Sequence, residues 1–139
     1  MLLFEFSVQG PPVSSQARRG ASREAYRKKV AAAAAVAWIA GQPLIVSPVS
    51  VTITHFFEGA PADLDNISKL ILDGLKGVVL LDDRQVSDLV LQRRPLVGPY
   101  VVVSATPELT RGLGLGREFV HIAVASPATN AELRPYDYP

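Results

Sequence analysis

Hydrophobic and polar residues alternate in two stretches of the chain, and this period of two predicts half-buried strands. The first runs from Leu2 to Val8 and stops at Gly10-Pro11-Pro12. The second runs from Leu44 to Phe57 and breaks at Glu58-Gly59-Ala60-Pro61. One face of the second strand carries Val49, Val51, Ile53 and His55.

Two other segments have the spacing of amphipathic helices. Ser22 is a candidate N-cap for a helix over Arg23 to Ala40, which Gly41-Gln42-Pro43 ends. Asp63 or Asp65 can cap a second helix that runs to about Lys76. Its inward stripe comprises Ile67, Leu70, Ile71, Gly74 and Leu75.

The second half of the chain is rich in short strand signals. Strands are predicted over Val86 to Gln92, Tyr100 to Ser104 and Glu118 to Ala125. Pro107 to Gly116 predicts one helical turn before a glycine-rich loop, and the segment after Pro127 predicts an irregular tail. Because these strands follow one another without strict βαβ alternation, we expect an α+β domain with two main helices packed on a mixed sheet.

Length and composition favour one domain in a reducing compartment. The chain has 139 residues, 48% of them hydrophobic, and no cysteine. The start lacks a basic leader, and the alanine-rich run from Val30 to Ala40 is too short to span a bilayer, so we expect a cytoplasmic protein without a membrane segment.

The net charge is only +1, but charge is distributed unevenly. The basic cluster comprises Arg18, Arg19, Arg23, Arg27, Lys28 and Lys29, with Glu24 as the only acid among them. The acidic residues group separately, at Asp63, Asp65, Asp73, Asp82, Asp83 and Asp88. This separation suits a protein that neutralises phosphates with one patch and holds metal with the other, although a solvated basic face is the alternative.

The acidic group has the composition of a hard-cation site. Asp63 and Asp65 lie at the mouth of the second helix, Lys69 follows Asp65 by one turn, and Asp83 comes after a short connection that we expect to return near the helix. Carboxylate oxygens are the ligands that Mg²⁺ and Mn²⁺ prefer. Taken singly, each residue has an ordinary alternative: a helix cap, a turn residue or a solvated charge.

The histidines and glycines give weaker signals. His55 and His121 each lie within a predicted strand, where packing is a commoner role than catalysis. Gly112-Leu113-Gly114-Leu115-Gly116 lacks the strand-then-helix context of a dinucleotide site, so no small-molecule cofactor is expected.

The motif Asp63-Leu64-Asp65-Asn66 with Lys69 and Asp73, followed by Leu81-Asp82-Asp83-Arg84-Gln85-Val86, resembles the RusA family of Holliday junction resolvases. The likeness runs from about Leu2 to Thr106. It implies a small homodimeric endonuclease, often carried by bacterial phages and prophages, that uses magnesium or manganese to cut four-way DNA junctions by paired nicks.

The resemblance also implies roles for individual residues. Asp63, Asp65 and Asp83 would be the metal-binding carboxylates and Lys69 the catalytic lysine, while Asp82 would serve either the metal or the turn. Family members can carry arginines before the first motif, where this chain has Glu58-Gly59-Ala60-Pro61-Ala62. DNA contact would therefore fall to the basic cluster, which Arg93 and Arg94 could extend.

The resemblance divides the chain into an endonuclease domain over residues 1–106 and a C-terminal extension over residues 107–139 packed on the same domain. The extension could cover a sheet edge, extend a dimer interface or bind another protein. The function expected is a magnesium-dependent, junction-resolving endodeoxyribonuclease in DNA recombination and repair. A catalytically silent junction-binding or partner-binding protein, and a nuclease acting on ordinary duplex or RNA, are the alternatives.

Overall fold

A four-stranded mixed sheet carries two long helices on one face and a short helix on the other. The computed structural model describes residues 1–13, 20–61 and 63–127. Within these ranges the elements are β1 (Leu2–Gln9), α1 (Gly20–Ala37), β2 (Val49–Phe57), α2 (Leu64–Leu75), a 3₁₀ turn (Asp83–Gln85), β3 (Val86–Pro95), α3 (Pro107–Gly114) and β4 (Phe119–Ala125).

The strand order is β1-β4-β2-β3. The strand β4 is antiparallel to both β1 and β2, and β3 is parallel to β2. Consequently β1, β2 and β3 all end at the edge where β4 begins. We call this the upper edge, and the opposite one, where β1, β2 and β3 begin, the lower edge.

Each long helix returns the chain from the upper edge to the lower edge, because β1, β2 and β3 point the same way. The two helices cross where a Cβ on Gly74 would lie 2.8 Å from a Val30 methyl carbon, so glycine allows the close approach. Between the helices and the sheet lies the core, with side chains that include Phe6, Val30, Ile53, Ile67, Ile71 and Ile122.

The predicted fold class and the periodic faces are confirmed. Val49, Val51, Ile53 and His55 are all buried beneath the helices, and α2 buries the predicted stripe. Tyr26 is 3% exposed and the Trp38 ring packs edge-on against Phe4, so both aromatic side chains contribute to the core. None of the described helices has the length and apolar character needed to cross a membrane.

Several local predictions were wrong. The first helix begins at Gly20, so Ser22 lies inside it rather than capping it. Tyr100 to Ser104 is not a strand; it pairs with no neighbour among the described residues, Ser104 adopts a left-handed φ of 56°, and Val101 and Val103 are exposed. Gly112 and Gly114 belong to α3, where Gly112 lets the Phe119 ring approach.

The segment after Thr106 completes the sheet. Its strand β4 lies between β1 and β2, and Phe119, Val120, Ile122 and Val124 are all buried. Residues 107–127 therefore supply an interior strand and part of the core, rather than a cover for a sheet edge.

Candidate metal centre

Asp63 and Asp65 lie at the upper edge, where α2 begins. Asp63 occupies the N-cap position, but its side chain makes no capping hydrogen bond to the helix backbone. Its Oδ2 instead accepts a hydrogen bond from the Asn66 side-chain amide at 3.3 Å. Both aspartates are exposed, so neither carboxylate is consumed by helix capping or burial. Carboxylates at a helix amino terminus also lie in the favourable field of the helix dipole.

Lys69 lies one turn further along the same face. It is exposed, whereas its neighbours Ser68 and Leu70 are buried, so the ammonium group projects from the solvent face of α2. Ser68 donates a hydrogen bond to the Asp65 carbonyl at 2.8 Å, which stiffens this first turn from inside. Residues four apart on a helix are neighbours, so Lys69 and Asp65 form a cation and carboxylate set on one rigid turn.

Asp83 lies at the lower edge, in the 3₁₀ turn that precedes β3. Its neighbour Asp82 caps that turn: Asp82 Oδ1 accepts a hydrogen bond from the Arg84 N–H at 3.2 Å. Gln85 completes a capping box by accepting the Asp82 N–H at 2.8 Å. Asp82 therefore has a structural role in the turn, and Asp83 is the exposed carboxylate of the pair.

The Gln85 side chain anchors the turn to the segment before β2. Its Nε2 donates to the carbonyls of Ile45 and Ser47 at 2.7 and 3.0 Å. The second motif thus holds one exposed acid on a turn that is fixed to the rest of the protein.

The two carboxyls of the turn influence each other. A hydrogen bond with Asp83, aided by the Arg84 N–H, lowers the pKa of Asp82 to about 2. The same hydrogen bond with Asp82 raises the pKa of Asp83, assisted by desolvation and by the Asp82 charge. Close carboxylates repel each other unless a proton or a cation lies between them, so a bound cation would relieve this repulsion.

The structure does not bring Asp83 to Asp63 and Asp65 within one chain. The parallel β2-α2-β3 connection obliges α2 to span the sheet, and its 12 residues cover about 18 Å. Asp83 instead lies in the electrostatic range of Lys76 and Asp73, near the other end of α2. Among the described residues, no three acidic or histidine side chains are grouped closely enough to hold a metal.

The expectation that the short connection returns beside the mouth of the helix is therefore not met in one protomer. The donor chemistry nevertheless suits a hard cation at the upper edge. One or two exposed carboxylates, with water in the remaining positions, are the usual protein contribution to a Mg²⁺ site. Asp63 and Asp65 fit that description, and Asp83 is a further exposed carboxylate at the lower edge.

The basic cluster divides into residues with different surroundings. Arg27 pairs with Glu24, its Nε lying 2.9 Å from the carboxylate, and the Lys29 Nζ donates to the Gln9 carbonyl at the end of β1. Lys28 is exposed and Arg23 is half-buried. Arg18 and Arg19 lie outside the described residues. Arg93 and Arg94 are exposed near the upper end of β3, beside the end of β2, the strand that leads to Asp63.

Two buried histidine–glutamate pairs were not predicted. His55 Nε2 lies 2.8 Å from the Glu118 carboxylate, and His121 Nε2 lies 2.8 Å from the Glu5 carboxylate. The partners are 63 and 116 residues apart, so local sequence patterns hold no signal for them. His55 is only 1% exposed, a burial that matches a packing role.

Comparison with known families gives a match over most of the chain. Residues 10–107 match the family described as Endodeoxyribonuclease RusA, and that range includes both acidic motifs. A comparison with curated proteins found no match.

Proposed function

Because the chain belongs to the RusA endodeoxyribonuclease family, we propose that it is a divalent-metal-dependent endonuclease that resolves four-way DNA junctions. The observation that carries the proposal is the exposed set of Asp63, Asp65 and Lys69 on the first turns of α2. Magnesium is the ion that best suits this oxygen-only donor set, with manganese as a substitute. A role in DNA recombination and repair follows from such a substrate.

We further propose that the complete site forms between two copies of the chain. One protomer would supply Asp63, Asp65 and Lys69, and a second protomer would supply Asp83. The separation of these residues along α2 supports this arrangement, since a two-fold axis can bring the upper edge of one chain to the lower edge of the other. Two such sites would face two symmetric strands of a junction, as paired nicking requires.

The chemistry is hydrolysis of a phosphodiester. Asp63, Asp65 and Asp83 would hold the ion, which when bound supplies Lewis acidity and lowers the pKa of a coordinated water. The oxygen of the attacking water forms the new bond to phosphorus, and the bond to the leaving sugar oxygen breaks. Lys69 would stabilise the negative charge that develops on the phosphate or orient the attacking water.

DNA binding would rest on the basic cluster together with Arg93 and Arg94. Arg18 and Arg19 precede α1 and carry two of its charges close together. The residues of the cluster that are tied into the protein, Arg27 and Lys29, would contribute less to phosphate binding than exposed Lys28.

The second candidate is a junction-binding protein without nuclease activity. The observation in its favour is the separation of Asp83 from the other two carboxylates within one chain. A chain that remained monomeric would present two incomplete half-sites and could still bind DNA through its basic residues.

One experiment separates the candidates. The protein is incubated with a synthetic four-way junction, a linear duplex, a single strand and an RNA duplex, each with Mg²⁺ and with chelator. Metal-dependent cutting confined to the junction supports the proposal. Tight junction binding without cutting supports the silent binder, and equal cutting of all substrates identifies a general nuclease.

A further inference from the structure

Glu118 contacts the ends of β1 and β2 at the upper edge of the sheet. The chain leaves these ends toward α1 and toward Asp63, respectively. The Glu118 carboxylate contacts β2 and the residue that follows it: Oε2 lies 2.8 Å from His55 Nε2, and Oε1 accepts a hydrogen bond from the Glu58 N–H at 2.9 Å. Its main-chain carbonyl accepts the Gly10 N–H at 2.8 Å, at the end of β1. One residue therefore holds both the residue that follows β1 and the residue that follows β2, on the way to Asp63.

The His55 contact is buried and has a defined polarity. The His55 side chain is 1% exposed and that of Glu118 14%. Since an ionised carboxylate only accepts hydrogen bonds, the Nε2 of His55 carries the proton and donates it. The other ring nitrogen, Nδ1, is buried without a hydrogen-bond partner among the described residues, so Glu118 is the group that orients this ring.

The Glu58 hydrogen bond lies in the segment that connects β2 to the proposed metal ligands. Glu58 follows the last residue of β2, and Asp63 lies five positions further on. Gly59 adopts a left-handed φ of +68°, so the chain turns sharply just after the Glu58 amide. A hydrogen bond at Glu58 therefore sets the direction in which this turn leaves the sheet.

A matched pair on the opposite face has no such connection. The Glu5 side chain is 15% exposed, pairs with His121 at 2.8 Å and accepts the Thr106 hydroxyl at 2.8 Å. Thr106 caps α3, so this carboxylate anchors a helix that carries none of the proposed catalytic residues. The two pairs share chemistry, burial and distance, and differ in what they hold.

We propose that Glu118 is a positioning residue for the endonuclease reaction, acting through His55 and the Glu58 amide to place Asp63 and Asp65. This inference rests on the proposed function, and it gives a catalytic purpose to a residue that lies outside the family match of residues 10–107. Groups hydrogen-bonded directly to metal ligands commonly change metal affinity or activity by about 10- to 100-fold when they are removed, and we expect the same range for Glu118, which acts through the backbone.

The test compares Glu118→Ala and Glu118→Gln with the matched control Glu5→Ala. For each protein, single-turnover junction cleavage, junction affinity in chelator and hydrogen exchange at the Glu58 amide are measured. We expect Glu118→Ala to cut about 10- to 100-fold more slowly with unchanged junction affinity, and its Glu58 amide to exchange faster. Glu118→Gln retains an oxygen for one of the two hydrogen bonds, so its cleavage rate should fall between Glu118→Ala and the wild type.

The control Glu5→Ala should lower the unfolding free energy. Its cleavage rate and the hydrogen exchange of its Glu58 amide should stay at the wild-type level. Equal cleavage by Glu118→Ala and Glu5→Ala, or unchanged exchange at Glu58, would overturn the inference. If Glu118→Ala does not fold, Glu118→Gln decides: wild-type cleavage and exchange in that variant contradict the positioning role. Hydrogen exchange needs no catalysis, so a wild-type protein that fails to cut would refute the proposed function while the exchange result still tests the Glu118 hydrogen bonds.

Discussion

The two ends of α2 both present an exposed carboxylate, but they position it by different means. At the amino end, Asp63 and Asp65 belong to the helix terminus itself, and the Asp63 side chain makes no capping bond to the backbone. At the carboxyl end, Asp83 is carried by a separate turn that Asp82 caps and Gln85 ties to the segment before β2. The two groups of exposed carboxylates are thus carried by different elements, and within one chain they lie at opposite edges of the sheet.

The largest effect is expected from removing one carboxylate at either end. Asp65→Asn and Asp83→Asn should each reduce single-turnover junction cleavage by about 10²- to 10³-fold, because each removes charge that stabilises the transition state through the metal. Junction binding, measured by gel shift in chelator, should be retained or tightened because a negative charge near phosphate is removed. A cleavage rate unchanged by Asp83→Asn would make the lower edge irrelevant to the reaction.

The crossing of α1 and α2 depends on a close approach at Gly74, and Gly74→Ala tests it. The added methyl would meet Val30 at 2.8 Å and the Arg27 carbonyl at 3.1 Å. We expect the cost of overpacking, about 1–3 kcal/mol, to exceed the gain of about 1 kcal/mol in helix propensity and to lower the unfolding free energy.

Gly114→Ala in α3 is the matched control for that substitution, since an added Cβ there has no described atom within 4 Å. Denaturant unfolding should show no loss of stability for Gly114→Ala. Equal stability of the two variants would mean that the helices can separate without penalty.

Substitutions at the neighbouring residues Asp82 and Asp83 separate an effect on stability from an effect on cleavage. Asp82→Ala should lower the unfolding free energy by about 0.5–2 kcal/mol, because it removes a cap, and should leave most cleavage activity. Asp83→Ala should leave the unfolding free energy nearly unchanged and should abolish most cleavage activity. Thermal unfolding and cleavage assays on both variants check this division, and loss of all cleavage in a fully stable Asp82→Ala protein would assign the metal role to Asp82 instead.

The smallest effect is expected from Arg18 and Arg19 of the basic cluster, which lie outside the described residues. Replacing both Arg18 and Arg19 with alanine should weaken junction binding and reduce the log-log salt slope by roughly one unit for each phosphate that is no longer neutralised. Lys28→Ala provides a single-charge comparison on α1. A salt slope unaltered by the double substitution would mean that Arg18 and Arg19 do not contact phosphate.

Periodicity predicted the parts of the fold that depend on local burial. The buried face of β2 and the inward stripe of α2 follow from side-chain spacing, and both were confirmed. Alternation at Tyr100 to Ser104 misled because a strand also needs a partner, and this segment has none within the described sheet.

Contacts between residues far apart in the chain could not be predicted, because side-chain periodicity reports only local burial. Nothing local indicates that β4 inserts between β1 and β2, that Gln85 reaches the carbonyls before β2, or that Glu118 meets His55 across 63 residues. The two acidic motifs can be recognised in the sequence from residue types and spacing, and the roles assigned to their residues stay predictions. Their distribution between opposite edges could not be predicted, because it depends on the direction in which β3 pairs with β2.

Mixing two inactive variants tests the shared site most directly. Asp65→Asn and Asp83→Asn proteins are unfolded together, refolded to exchange protomers, and assayed on a four-way junction with Mg²⁺. A site built from both chains predicts that the mixture regains cutting, since each mixed dimer has one intact combination of Asp63, Asp65 and Asp83, and that it makes single rather than paired nicks. A mixture of verified heterodimers that remains as inactive as its components would contradict a site shared between protomers.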